Sequence, residues 1–195
     1  MFLGKIQIIP TIAEMLMTFK ECLDKMGTEY AMKKAIAEGS LFRMEKGIYS
    51  DSHDRVSEEE IIQKKYPCAV VTLKSAFMYY SYSDFIPDKY DLATDAKSAR
   101  IADRRVLQYY MPEGTLEIGK TELDYDGIKI RTYDLERLLI ELVRYQTKLP
   151  YDYYKEVIGN YRNNVNKLYP AKLDDYLEHF PRRDAIERAI EREVF

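Results

Sequence analysis

The chain has 195 residues, enough for one large domain or two small ones. An apolar fraction of 46% excludes wholesale disorder, and a formal charge of -3 excludes a generally basic nucleic-acid coat protein. Two cysteines, Cys22 and Cys68, give no disulfide framework, so a reducing cytoplasm is the expected location and both fit as small core residues. Met1 to Gly4 is too short for the apolar region of a signal peptide, and Lys5 and Pro10 interrupt the apolar residues after it. No apolar run approaches the ~20 residues that cross a bilayer.

In chain order, Thr11 to Met17 reads as a short helix with Pro10 before its first turn. Thr18 is suited to cap a helix over Phe19–Lys25, where Phe19, Cys22 and Leu23 share a face. Gly27 suits a left-handed cap, and Thr28 can open a third helix over Glu29–Glu38, ended by Gly39. Leu41–Met44 and Gly47–Tyr49 read as two strands around a Glu45-Lys46-Gly47 turn. The polar stretch Ser50–Lys65 marks a domain boundary at about 51–56. Within it, Ser57 and Glu60 form a capping box for a helix over 58–65.

The remainder has its own mixed core. Thr72–Tyr80 reads as a helix and Tyr90–Thr94 as a strand. Val106–Met111, Leu116–Ile118, Glu122–Tyr125 and Lys129–Thr132 read as strands, the last two joined at Asp126-Gly127. Helices come next, over about 134–147, 151–164, 171–179 and 183–193, punctuated by Pro150, Pro170 and Pro181. In the last of these, Ile186, Ala189 and Ile190 are expected to pack inward. The expected class is α+β: a winged helix-turn-helix over 1–51, a linker and short helix over 52–65, and a mixed α/β domain over 66–195 that ends in helices.

A helix, a tight glycine turn and a second helix set the second at a steep angle, free to enter a major groove. Ala31, Met32, Ala35 and Ile36 form the inward stripe of that second helix. Thr28, Glu29, Tyr30, Lys33, Lys34 and Ala37 face outward. The outward set combines phosphate-seeking lysines with side chains able to reach base edges. Arg43 and Lys46 lie near the hairpin turn, where a wing would touch the backbone or minor groove. Residues 1–50 hold seven Lys/Arg against six Asp/Glu, a net of +1, so affinity must rest on placement and on dimerisation. A three-helix core with solvated lysines has the same pattern.

Other constellations are weaker. Lys97, Arg100, Arg104 and Arg105 form the strongest basic cluster, either a patch for phosphate or an acidic partner, or a solvated loop. His53 and His179 lie in unrelated elements, which leaves neither a zinc site nor a catalytic triad, so no metal or cofactor is expected. No glycine-rich phosphate loop occurs. Glu122, Asp124, Asp126 and Asp134 surround the second hairpin, but Asp126-Gly-Ile-Lys129 has the wrong spacing for a metal-dependent nuclease and fits a turn. Eighteen tyrosines and no tryptophan suggest half-buried rings with the hydroxyl in water, which could also stack bases or build an interface.

The run Glu38-Gly39-Ser40-Leu41-Phe42-Arg43-Met44-Glu45-Lys46-Gly47-Ile48-Tyr49 resembles the wing signature of the AbiEi family, antitoxins of bacterial type IV toxin–antitoxin (abortive infection) systems. Thr72–Tyr80, Phe85-Ile86-Pro87, Tyr90–Thr94 and Gly127–Thr132 resemble its later elements in order. Asp134-Leu135-Glu136-Arg137-Leu138-Leu139 resembles its "E-R-x-L-x-D" helix, with Glu141 where an aspartate is common. The likeness spans about residues 17 to 145, and the closing helices match in type only. It implies a cytoplasmic bacterial repressor, not an enzyme, that binds operator DNA of its own operon through Tyr30, Lys33, Lys34, Arg43 and Lys46. It also implies that the second domain antagonises a nucleotidyltransferase-type toxin, without necessarily forming a stable complex. The alternatives are a nucleic-acid-processing enzyme housed in the second domain, or a protein-interaction module.

Overall fold

The computed structural model describes residues 16–53 and 56–195, and the chain divides into two compact units at 67/68. The first unit runs β1 (Leu16–Thr18), α1 (Phe19–Met26), α2 (Glu29–Ala37), β2 (Phe42–Glu45), β3 (Ile48–Ser50) and α3 (Glu58–Lys65). Its antiparallel sheet has the order β1-β3-β2. Met17, Cys22, Met32, Leu41 and Tyr49 form its core, with Leu23, Met26 and Ala35 packed against them.

Local chemistry sets the helix ends. Thr18 and Glu21 form a capping box at α1, as Ser57 and Glu60 do at α3, so two otherwise orphaned amides are satisfied at each end. Thr28 Oγ1 accepts the Ala31 amide at 3.1 Å to open α2. At the far end the Ser40 amide bonds the Ala35 carbonyl and the Gly39 amide bonds the Ile36 carbonyl. This closing motif places Gly39 at φ +73°, a conformation that side chains disfavour.

Three expectations change in this unit. Leu16 and Met17 lie in a strand paired with Ser50 and Tyr49, not in a helix; the rest of that expected helix, 11–15, lies outside the described residues. Ile36, expected on the inward stripe, is exposed, and Phe19 is exposed although it shares a face with Cys22, because this core is small and is already filled by Cys22 and Met32. Helix α3 packs on β1 and β3, with Ile62 fully buried, and so belongs to the first unit.

The second unit runs β4 (Val70–Val71), α4 (Leu73–Tyr79), β5 (Tyr90–Asp95), β6 (Val106–Met111), β7 (Lys120–Tyr125), β8 (Ile128–Tyr133), α5 (Leu135–Arg144), α6 (Tyr151–Asn163), α7 (Pro170–Leu177) and α8 (Arg183–Glu193). Its five-stranded sheet has the order β6-β5-β4-β8-β7. Pairs β5–β6 and β4–β8 are parallel, and β4–β5 and β7–β8 are antiparallel. The β7–β8 turn puts Asp126 and Gly127 at φ +50° and +81°, as a two-residue hairpin of this hand requires. Helix α5 is the hub, buried along most of its length and packed against α4, α7 and α8. Ile186, Ala189 and Ile190 of α8 are buried. The chain is α+β. Among the described residues no helix is long and apolar enough to cross a membrane.

Two differences here have clear causes. The two-residue β4 lies at the centre of the sheet but is too short to show a periodicity, and Cys68 before it is exposed. Leu116–Ile118 forms consecutive turns instead of a strand. The carbonyls of Thr115, Leu116 and Ile118 accept from the Arg137 and Tyr133 side chains, so they are not free to form a ladder. A Cβ on Gly119 would sit 2.5 Å from Arg137 Cβ, so only glycine lets this loop lie against α5.

Candidate nucleic-acid interface

In the first unit the sequence-predicted residues fall on two elements. Tyr30, Lys33 and Lys34 are exposed at helical spacing on α2, and Tyr30 is 78% exposed. An aromatic ring that open on a capped helix contributes little to its own core. Thr28 is also exposed, but its hydroxyl oxygen is engaged in capping, so it positions the helix as well as presenting a donor. Lys34 makes a loose ion pair with Glu38 at 3.7 Å, whereas Lys33 has no ion pair among the described residues.

Arg43 and Lys46 are exposed on the β2–β3 hairpin. The register of that hairpin shifts between Arg43 and Glu45, so an extra residue twists the strand just before the turn. Gly47, at φ +85°, closes the turn, and its carbonyl accepts the Phe19 amide at 2.9 Å. The base of α1 and the hairpin tip are thereby tied together. Behind this face the charges are neutralised: Lys64 bonds Glu21 at 2.8 Å and Lys65 bonds Glu45 at 3.0 Å. The Lys64 contact holds the Glu21 carboxyl below its usual range, and burial pushes the Cys22 thiol up.

The basic cluster of the second unit is only half available. Arg105 forks onto Asp103, with Nη2–Oδ2 at 2.8 Å, and Lys97 is paired with Glu113. Arg100 and Arg104 are exposed in the loop between β5 and β6. The acids near the second hairpin do not converge. Asp124 accepts the Gly127 amide in the turn, Glu122 faces Lys129 at 3.9 Å, and Asp134 caps α5. Among the described residues no group of three or more His, Cys, Asp or Glu could hold a metal ion. His53 stacks edge-on with Phe42, and His179 lies just after α7.

Two interior polar sites were not anticipated. Arg137 and Glu141, one turn apart on α5, form a fully buried ion pair, and Arg144 reaches Glu141 at 2.6 Å. The Arg137 guanidinium lies 4.6 Å from the Tyr133 ring and 4.4 Å from the Phe180 ring. The only signal was their i,i+4 spacing, which equally describes a solvated face. The second is Asp91, fully buried on β5, whose Oδ2 accepts the Lys74 amide at 3.0 Å. Burial pushes its carboxyl up to about 7, against the opposing effect of Lys74. Burial likewise raises the hydroxyl pKa of Tyr109 and Tyr153, which lie in the same cluster. No protein-family model matches the sequence, and no curated protein matches it at a significant level.

Proposed function

We propose that the first unit is a winged helix that reads DNA, and that the chain is an AbiEi-like antitoxin and repressor of its own operon. One observation carries the reading: α2 is capped at both ends yet presents an exposed Tyr30, Lys33 and Lys34, while the adjoining sequence forms a hairpin with exposed Arg43 on its first strand and exposed Lys46 in its turn. The sheet order β1-β3-β2 behind two helices supports it, since these are the parts of a helix-turn-helix with a wing. Helix α2 supplies side chains for base edges, and the lysines and the hairpin supply phosphate contacts. Antagonism of a nucleotidyltransferase-type toxin rests on the family resemblance and belongs to the second unit.

The test is titration of the full chain against DNA from upstream of its own gene, over a range of salt. Wild-type protein binds, with log affinity falling linearly in log salt. Lys33→Ala combined with Arg43→Ala removes two phosphate contacts and lowers the magnitude of that slope by about 2. Tyr30→Ala reduces discrimination between the operator and random DNA more than it reduces random binding. Absence of binding at low salt, where phosphate contacts are strongest, overturns the reading.

A further inference from the structure

Helices α7 and α8 of the second unit flank an open groove of about 330 Å³. Its floor is apolar: Leu173 and Leu177 come from α7 and Ile190 from α8, and all three are buried. Phe195 also lines it and is 60% exposed, so apolar surface at the groove is left in water.

Every charged residue of the lining is an acid: Asp174 on α7, and Glu187 and Glu191 on α8. Asp174 and Glu191 are exposed and have no ion pair among the described residues. Glu187 reaches Arg183 only loosely, at 3.8 Å. Glu187 and Glu191 also lie one turn apart on α8, a spacing at which like charges repel. The bases of these helices do not relieve the groove. Lys172, the one base of α7, is committed to Asp134 at 2.9 Å. Arg188 and Arg192 of α8 line a separate, more open depression with Ala185 and Ala189, and Glu191 stands between the two.

We infer that this groove docks a basic amphipathic segment of another protein, whose apolar side chain rests on Leu173, Leu177 and Ile190 while Lys or Arg on either side of it meets Asp174 on one rim and Glu187 and Glu191 on the other. Charge complementarity selects this occupant, because the rim acids are not neutralised within the chain. The same three carboxylates repel the phosphates of nucleic acid and of anionic lipid. A wholly apolar partner would cover them without a counter-charge, which is costly. A helix laid along the groove presents one apolar stripe with bases on both flanks. The inference concerns the second unit alone and does not depend on DNA binding.

Fluorescence anisotropy of the full chain with a labelled helical peptide of about 15 residues, the length of a helix that fills such a groove, tests it. The peptide carries a leucine stripe flanked on both sides by lysines. It binds, and its affinity falls as salt rises. Alanine in place of the leucines weakens binding about tenfold or more, and glutamate in place of the lysines abolishes it. Asp174→Lys combined with Glu191→Lys, both at exposed positions, loses the lysine peptide and gains the glutamate peptide. That exchange separates lost recognition from lost folding. Phe195→Ala weakens binding with circular dichroism unchanged. Absence of binding by the lysine peptide, equal binding by its alanine version, or indifference to the charge reversal overturns the inference. A wild-type dimer in light scattering that the charge reversal dissociates also overturns it, since the occupant is then a second copy.

Discussion

The two units use charge in opposite ways. In the first, a core of five buried residues carries no charge, and the cations of α2 and the hairpin all lie outside it. In the second, Arg137, Glu141 and Asp91 are entirely enclosed. An exposed cation is weakly committed to the fold and is available to a ligand, whereas a buried one is fixed by its partners and is part of the architecture. Functional residues are therefore to be sought outside the first unit's core, and the charges of α5 are to be read as structural.

The largest test of this contrast is Arg137→Ala. It leaves the Glu141 carboxylate buried, with Arg144 as its remaining ion partner, and leaves the carbonyls of Thr115 and Ile118 without their donor. The expected loss is about 3–5 kcal/mol in the second unit, measured by urea unfolding. Replacing both partners, Arg137→Met with Glu141→Leu, recovers part of that loss, because no uncompensated charge then remains. A loss under 1 kcal/mol for the single change would mean that the pair is not a structural element.

The Asp91 cluster gives a smaller and pH-dependent effect. Its carboxyl sits at about 7 in the folded chain against about 3.9 when unfolded, so the folded state holds a proton that the unfolded state has released. Stability from this group is full below about pH 4 and is lost as pH rises through 7, by at most about 4 kcal/mol. Asp91→Asn removes the titration. It flattens the melting temperature between pH 5 and 8 and makes the variant the more stable protein at pH 8. An unchanged pH profile contradicts the assignment of this burial penalty to Asp91.

The same contrast explains what was legible in the sequence. Caps and turns were, because they depend on neighbours in the chain: Thr18 as the cap of α1, Ser57 with Glu60, and Asp126-Gly127 all act within three residues. The outward face of α2 was, because helical spacing alone places Tyr30, Lys33 and Lys34. Long-range features were not. Val70–Val71 becomes a central strand only through β5 and β8, over 20 and 60 residues away. Leu116–Ile118 alternates like a strand, but loses its carbonyls to Arg137 and Tyr133. Ile36 matched the apolar stripe, yet the small core stops at Met32 and Ala35.

The smallest expected effect falls on the exposed side of the comparison, at Glu38. Its ion pair with Lys34 spans 3.7 Å, with both side chains about 60% exposed. Water screens such a pair, so Glu38→Gln should change stability by less than about 0.5 kcal/mol. The closing hydrogen bonds of α2 use the backbone at Ala35, Ile36, Gly39 and Ser40, and remain intact. The substitution does remove an anion that competes with DNA phosphate for Lys34. If the α2 face binds DNA, Glu38→Gln tightens binding at low salt and the gain fades as salt screens it. Tighter binding without a measurable change in unfolding would separate ligand-facing charge from fold-determining charge at one residue. A clear loss of stability would instead make Glu38 part of the architecture, and the division between the two units would fail on its exposed side.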